Sequence, residues 1–198
     1  MSITKADILS RVNQITGRSE TDIDDQIYDA LLEISERTRA LKTSTTGSTT
    51  ANQAYISKPS DMAGDIIDGL ILDTTRYDPI TWDEWLDNQG YNTGVWPNQA
   101  SGISGWVVRG DYIYVRPTPD TVKSYTLYYA KYHPSSLDTI LFEDKFRRAI
   151  IHLTAAFVYE KYEIDDQQEK EMVLYEREIN RLSVSSPPSV VQPRSFRS

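Results

Sequence analysis

The stretch Glu143–Tyr162, EDKFRRAIIHLTAAFVYEKY, constrains the fold most, because from Ala149 to Tyr159 it is apolar almost all the way round. A helix of that kind must be covered on several sides, so it predicts a central post with other helices packed around it. Only Lys145, Arg148 and His152, at spacings of three and four, leave a narrow polar stripe along it.

Partners for the post are legible on both sides. Thr4 with Asp7 forms a capping pair, and Ile8, Val12 and Ile15 then repeat at helical spacing until Gly17. Asp22, Asp24 and Asp25 open a second helix, where carboxylates complement the positive end of the helix dipole. Ile23, Ile27, Ala30, Leu31, Ile34, Thr38 and Leu41 mark its buried face. Past the polar corner Glu163–Asp166, the spacing of Met172, Tyr175, Ile179 and Leu182 predicts a last helix over Gln167–Leu182.

The middle of the chain has a different texture. Thr43–Asn52, TSTTGSTTAN, carries no periodicity and reads as a mobile connector or exposed loop. Gln53–Ser57 and Ile66–Asp73 read as strands, and Thr81 with Glu84 caps a short helix holding Trp82, Trp85 and Leu86. After an aromatic, glycine-dotted loop over Tyr91–Gly105, Trp106–Arg109 and Tyr112–Arg116 flank the turn residues Gly110 and Asp111, a hairpin pattern. Ser124–Tyr132 is the last strand. The expected fold is therefore α+β: a four-helix bundle, two N-terminal and two C-terminal helices, with a small antiparallel β insertion and an extended C-terminal tail. The bundle would take residues 1–42 and 133–182, the connector loop and β insertion 43–132, and the arm 183–198.

Candidate chemistry is sparse. The chain has no cysteine, which excludes disulfides, thiolate nucleophiles and cysteine-based zinc sites. Neither His133 nor His152 has a nucleophile motif beside it, and no phosphate loop, HExxH pair or GxSxG elbow occurs, so both histidines read as structural and the chain as no enzyme. Asp22, Asp24 and Asp25 lack the glycine and terminal glutamate of a calcium loop, so no metal or other cofactor is expected. Arg109-Gly110-Asp111 spells an adhesion tripeptide, but in this setting it reads as a tight turn. No apolar run approaches the ~20 residues that span a bilayer, and the charge-broken N-terminus is no signal peptide, so no membrane partner is expected.

A net charge of -8 argues against a surface that grips nucleic-acid phosphates, while an acidic wall would let DNA slide past. The tail SVSSPPSVVQPRSFRS cannot fold by itself, yet Val190, Val191 and Phe196 offer apolar surface and Arg194 and Arg197 offer charge. These five residues are the candidates for docking a partner. Trp82, Trp85, Trp96 and Trp106 support a rival reading, a virion module that binds carbohydrate or a receptor through aromatic faces. Aromatics serving a core or a protein interface outweigh it.

The order of elements, two helices, a β region and two helices, resembles the head-to-tail connector (adaptor) proteins of tailed bacteriophages, including the family of the podovirus tail tubular protein A. The resemblance spans roughly residues 4–182. Its carriers are DIDDQIYDALLEISERT, NQAYISKPSDM, GDYIYVRPTPD leading into SYTLYYAKY, and FRRAIIHLTAAFVYEKY followed by YEREINRL. It implies a virion protein assembled in the host cytoplasm and placed at the neck. There a homo-oligomeric ring, commonly a dodecamer, would sit between the portal protein and tail or neck proteins, and genomic DNA would pass through without sequence-specific binding. It implies no catalytic residues.

Overall fold

The computed structural model describes residues 2–87 and 104–185. These fall into two compact units, one made of Met1–Thr38 and the chain from His133 on, the other of Arg39–Tyr132.

The helical unit contains α1 (Lys5–Thr16), α2 (Asp24–Thr38), α4 (Arg147–Lys161) and α5 (Asp165–Ser185). Helix α1 starts where its cap predicts, with the Thr4 hydroxyl accepting from the Asp7 N–H, and stops at Gly17 in the left-handed region, φ 65°. A short 3₁₀ turn, Asp144–Phe146, precedes α4, so the post is a turn plus a helix rather than one helix from Glu143. Helix α4 buries Ala149, Ile150, Ile151, Leu153, Thr154, Ala155, Ala156, Val158 and Tyr159. It packs against α1, α2 and α5 alike, and its three alanines let those neighbours come close.

The second unit holds β1 (Lys42–Ser48), β2 (Tyr55–Ser57), β3 (Met62–Leu72), β4 (Thr75–Pro79), α3 (Trp82–Asp87), β5 (Gly105–Arg109), β6 (Tyr112–Arg116) and β7 (Ser124–Lys131). The strands form one seven-stranded sheet in the order β1-β7-β3-β4-β5-β6-β2. All pairings are antiparallel except β4 with β5, which run parallel over Asp78↔Gly105 and Pro79↔Trp106. Leu70, Leu72, Tyr77, Trp106, Ile113, Val115 and Leu127 from five strands share one apolar cluster. Burying each such side chain stabilises by about 1.5–3 kcal/mol.

These observations overturn the four-helix bundle with a small β insertion. Among the described residues the protein is a mixed α+β fold with five α-helices and a seven-stranded sheet. Helix α4 is a hub with three helical neighbours, and α3 belongs to the other unit. The sheet outgrew its expectation chiefly because of β1. Lys42–Ser48 pairs residue for residue with β7, from Lys42↔Ala130 to Ser48↔Ser124, where a loop was expected. Threonine is β-branched and stiff in extended backbone, and an edge strand needs little apolar surface, so a Ser/Thr run can pair although its polarity suggests a loop. The glycine in it answers a neighbour: a Cβ on Gly47 would lie 2.6 Å from the ring of its cross-strand partner Tyr125.

Gly105 sits at the parallel seam under a similar constraint. A Cβ there would meet Ile80 Cγ2 at 2.5 Å and the Asp78 carbonyl at 3.2 Å. Gly105→Ala is expected to cost about 1–2 kcal/mol through overpacking, chiefly against the Ile80 side chain, with the Asp78 carbonyl closing the other side. Urea unfolding followed by tryptophan fluorescence checks this, and an unchanged midpoint would mean that the seam yields freely.

Candidate assembly surfaces

The helical unit presents two charged surfaces, one rich in arginine and one in carboxylates. Between α1, α4 and α5 lies a hollow of about 600 Å³ whose lining includes Arg11, Arg147, Arg148, His152 and Arg177. Its apolar lining is Ile15, Ile151 and Leu174. Helix periodicity explains the convergence, since Arg147 and Arg148 precede the buried run of α4 while Arg177 and Leu174 sit three apart on α5.

Two of these arginines are committed to the fold. The Arg147 Nε donates to Asp144 Oδ1 at 2.8 Å and its Nη1 to Asp7 Oδ2 at 3.3 Å, and hydrogen bonding with Asp144 keeps the guanidinium firmly charged. Arg148 lies 3.9 Å from Glu178, which Arg181 also holds at 2.8 Å. Arg11 donates only to the neutral Gln14, at 2.9 Å. Arg11 and Arg177, both exposed, have no carboxylate within 4.0 Å among the described residues.

The opposite sign sits on α2. Its buried face is Ile27, Ala30, Leu31, Ile34 and Ser35, which leaves Asp25, Tyr28, Asp29, Leu32 and Glu36 along the other side at helical spacing. Asp25 and Tyr28 also line a second hollow of about 450 Å³ with Asp138. Asp24 is bound by Lys5, whose ammonium that hydrogen bond favours, but Asp25 and Asp29 have no cation within 4.0 Å among the described residues. No group of three or more His, Asp or Glu stands ready to hold a metal ion among the described residues.

Both histidines are tied into the helical unit. His133 is buried, its Nδ1 lies 2.7 Å from the Pro134 carbonyl, and its Nε2 accepts from the Leu141 N–H at 3.0 Å, so the ring proton resides on Nδ1. His152 Nδ1 lies 2.7 Å from Oε2 of Glu171, a carboxylate only 5% exposed. Across α2 and α5, Arg37 Nη2 donates to Glu176 at 2.8 Å, and this hydrogen bond holds the Glu176 carboxyl below its usual range.

In the other unit the aromatics pack on one another. Trp82 and Trp85 stack with centroids 4.7 Å apart, Tyr114 meets both edge-on, and the Arg109 guanidinium covers the Trp82 ring at 4.1 Å. Trp106 is in the core and donates its indole N–H to the Tyr77 carbonyl at 3.1 Å. Arg109 and Gly110, φ 60°, are thus spent on a hairpin turn and a ring contact. A sugar platform needs open ring faces, and Trp82 and Trp106 are already occupied. Trp96 lies outside the described residues, as do the docking candidates Val190, Val191, Arg194, Phe196 and Arg197.

Sequence reasoning missed the arginine-lined hollow because its residues come from three distant segments. The available signals were the Arg147–Arg148 doublet at the head of an apolar helix and the Asp25–Asp29 spacing of four on α2. A family model described as SU10 adaptor protein matches residues 3–194, nearly the whole chain. No curated protein matches the chain.

Proposed function

The chain belongs to the SU10 adaptor protein family, a family of phage adaptors, and on that premise we propose that it forms a ring at the neck of a tailed phage, between portal and tail. As a phage structural adaptor it is a virion component that interacts with other head and tail proteins. In our reading the ring has one face on the portal protein and the other on tail or neck components. The likeness to podovirus tail tubular protein A is the narrower form of the same reading, and it suggests twelve copies.

The match over residues 3–194 carries the proposal. The physics of the chain supports it. A rigid helical unit organised on α4 suits lateral packing in a ring, and the net charge of -8 suits a channel wall that does not hold DNA. The part is structural and needs no catalysis. Mixing purified protein with the portal protein and imaging the product by electron microscopy tests the reading, with a ring seated on the portal expected. Portals that stay bare in the presence of excess protein would refute it.

The tail supplies a second test. Removing Ser183–Ser198 takes only the last three residues of α5 and is expected to leave the helical circular dichroism nearly intact while lowering the yield of complete particles at least about tenfold, as loss of a docking segment with several apolar anchors should. An unchanged yield would remove the tail from the assembly interface.

A further inference from the structure

We propose that the arginine-lined hollow between α1, α4 and α5 receives the acidic face of α2 from a second copy of this chain, and that this is the lateral contact of the ring. The inference rests on the ring reading above and deepens it by assigning two surfaces to one interface.

Three observations meet in it. Arg11 and Arg177 in the hollow and Asp25 and Asp29 on α2 are opposite charges without ion-pair partners among the described residues. Both surfaces are apolar at the centre: Ile15, Ile151 and Leu174 line the hollow, while Tyr28 and Leu32 lie between the carboxylates of α2. An apolar strip flanked by opposite charges is the anatomy of a specific interface, with charge setting register. Finally, no lining residue of the hollow comes from α2, so the two patches differ. Two different complementary patches make a heterologous, head-to-tail contact, the kind whose repetition builds a ring when its rotation closes.

A nucleic-acid occupant fits less well. Two free arginines release few counterions, and the remaining cations of the hollow are already answered by Asp7, Asp144 and Glu178.

The absence of cysteine makes a direct test possible. The doubly substituted chain Asp29→Cys/Arg177→Cys is assembled on the portal, oxidised and run on a non-reducing gel, while the same sample is imaged. A ladder extending beyond dimers is expected, because each copy can link to a different neighbour on either side. Single-cysteine chains have no partner thiol across a head-to-tail contact and should stay monomeric. A visible ring that yields no ladder would overturn the lateral assignment and leave the adaptor reading standing, whereas portals bare of ring even with the unsubstituted chain would overturn that reading itself.

A charge swap guards against a fault peculiar to the cysteines. Arg11→Glu/Arg177→Glu should keep its helical circular dichroism and lower ring yield at least about tenfold. Adding Asp25→Arg/Asp29→Arg to the same chain should restore it. Failure of that restoration would count against the contact. So would an Arg11→Glu/Arg177→Glu chain that still forms rings but loses retention on DNA-cellulose, which would assign the hollow to phosphate.

Discussion

Leu153→Ala is expected to lower the stability of the protein by about 3 kcal/mol, within the range of about 2–5 for emptying a buried leucine site. Leu153 is wholly buried on α4, and the neighbours of α4 come from α1, α2 and α5. Helices α1, α2 and α5 all pack on α4, so a void there is closed only in part by relaxation of its surroundings. The measurement is urea unfolding followed at 222 nm, with the midpoint falling and the slope unchanged. Glu160→Ala, an exposed change on the same helix, is the control and should stay within about 0.5 kcal/mol. Equal effects from the two substitutions would mean that α4 is not the core of its unit.

That helix was also the most legible part of the chain. Ala149–Tyr159 has too few polar positions to lie on a surface, so burial on several sides followed from composition and period alone. The period of Ile8, Val12 and Ile15 and that of Met172, Tyr175, Ile179 and Leu182 announced α1 and α5 in the same way, although α5 runs on to Ser185. Strand β1 escaped because its partner is distant, and β4, although it turns back on β3 through Leu72↔Thr75, because its segment is polar and ends in Pro79. KTSTTGS is held by β7, some eighty positions along the chain, and TRYDP by the end of β3 and by Gly105–Trp106. Neither segment alternates apolar with polar residues strongly enough to declare a strand by itself.

Surface chemistry was less legible still. Asp22, Asp24 and Asp25 were read together as complements of a helix dipole, yet they have separate fates. Asp22 accepts from the Asp24 N–H at 3.2 Å, Asp24 binds Lys5, and Asp25 faces outward beside Tyr28. The helix dipole acts on the three alike, and only the ion pair that Lys5 of α1 makes with Asp24 singles one of them out. The arginines of the hollow behave similarly: position 11, the 147–148 doublet and position 177 become one feature only after α4 brings α1 and α5 to its two sides.

His152 provides the second large effect and distinguishes a structural histidine from a functional one. The Glu171 carboxylate on α5 is almost fully buried, and the ring of His152 on α4 is the polar partner it is seen to have, at 2.7 Å. His152→Leu would leave that carboxylate in an apolar setting with its hydrogen bond gone, an expected loss of about 2–4 kcal/mol. The figure sits toward the lower part of the range for broken buried pairs because His152 is itself 22% exposed and water can reach the site. Glu171→Leu should cost less, since the imidazole left behind can be neutral and can turn to solvent. The double variant His152→Leu/Glu171→Leu should recover most of the loss, because removing both partners strands no buried charge. Urea midpoints of the four proteins give the coupling between the two residues directly. If His152→Leu left the midpoint unchanged and the pair showed no coupling, the histidine would be free of the fold and the structural reading would fail. A large single effect that the second substitution repairs would instead fix His152 as a structural polar contact between α4 and α5, on the wall of the hollow where the next copy is proposed to dock.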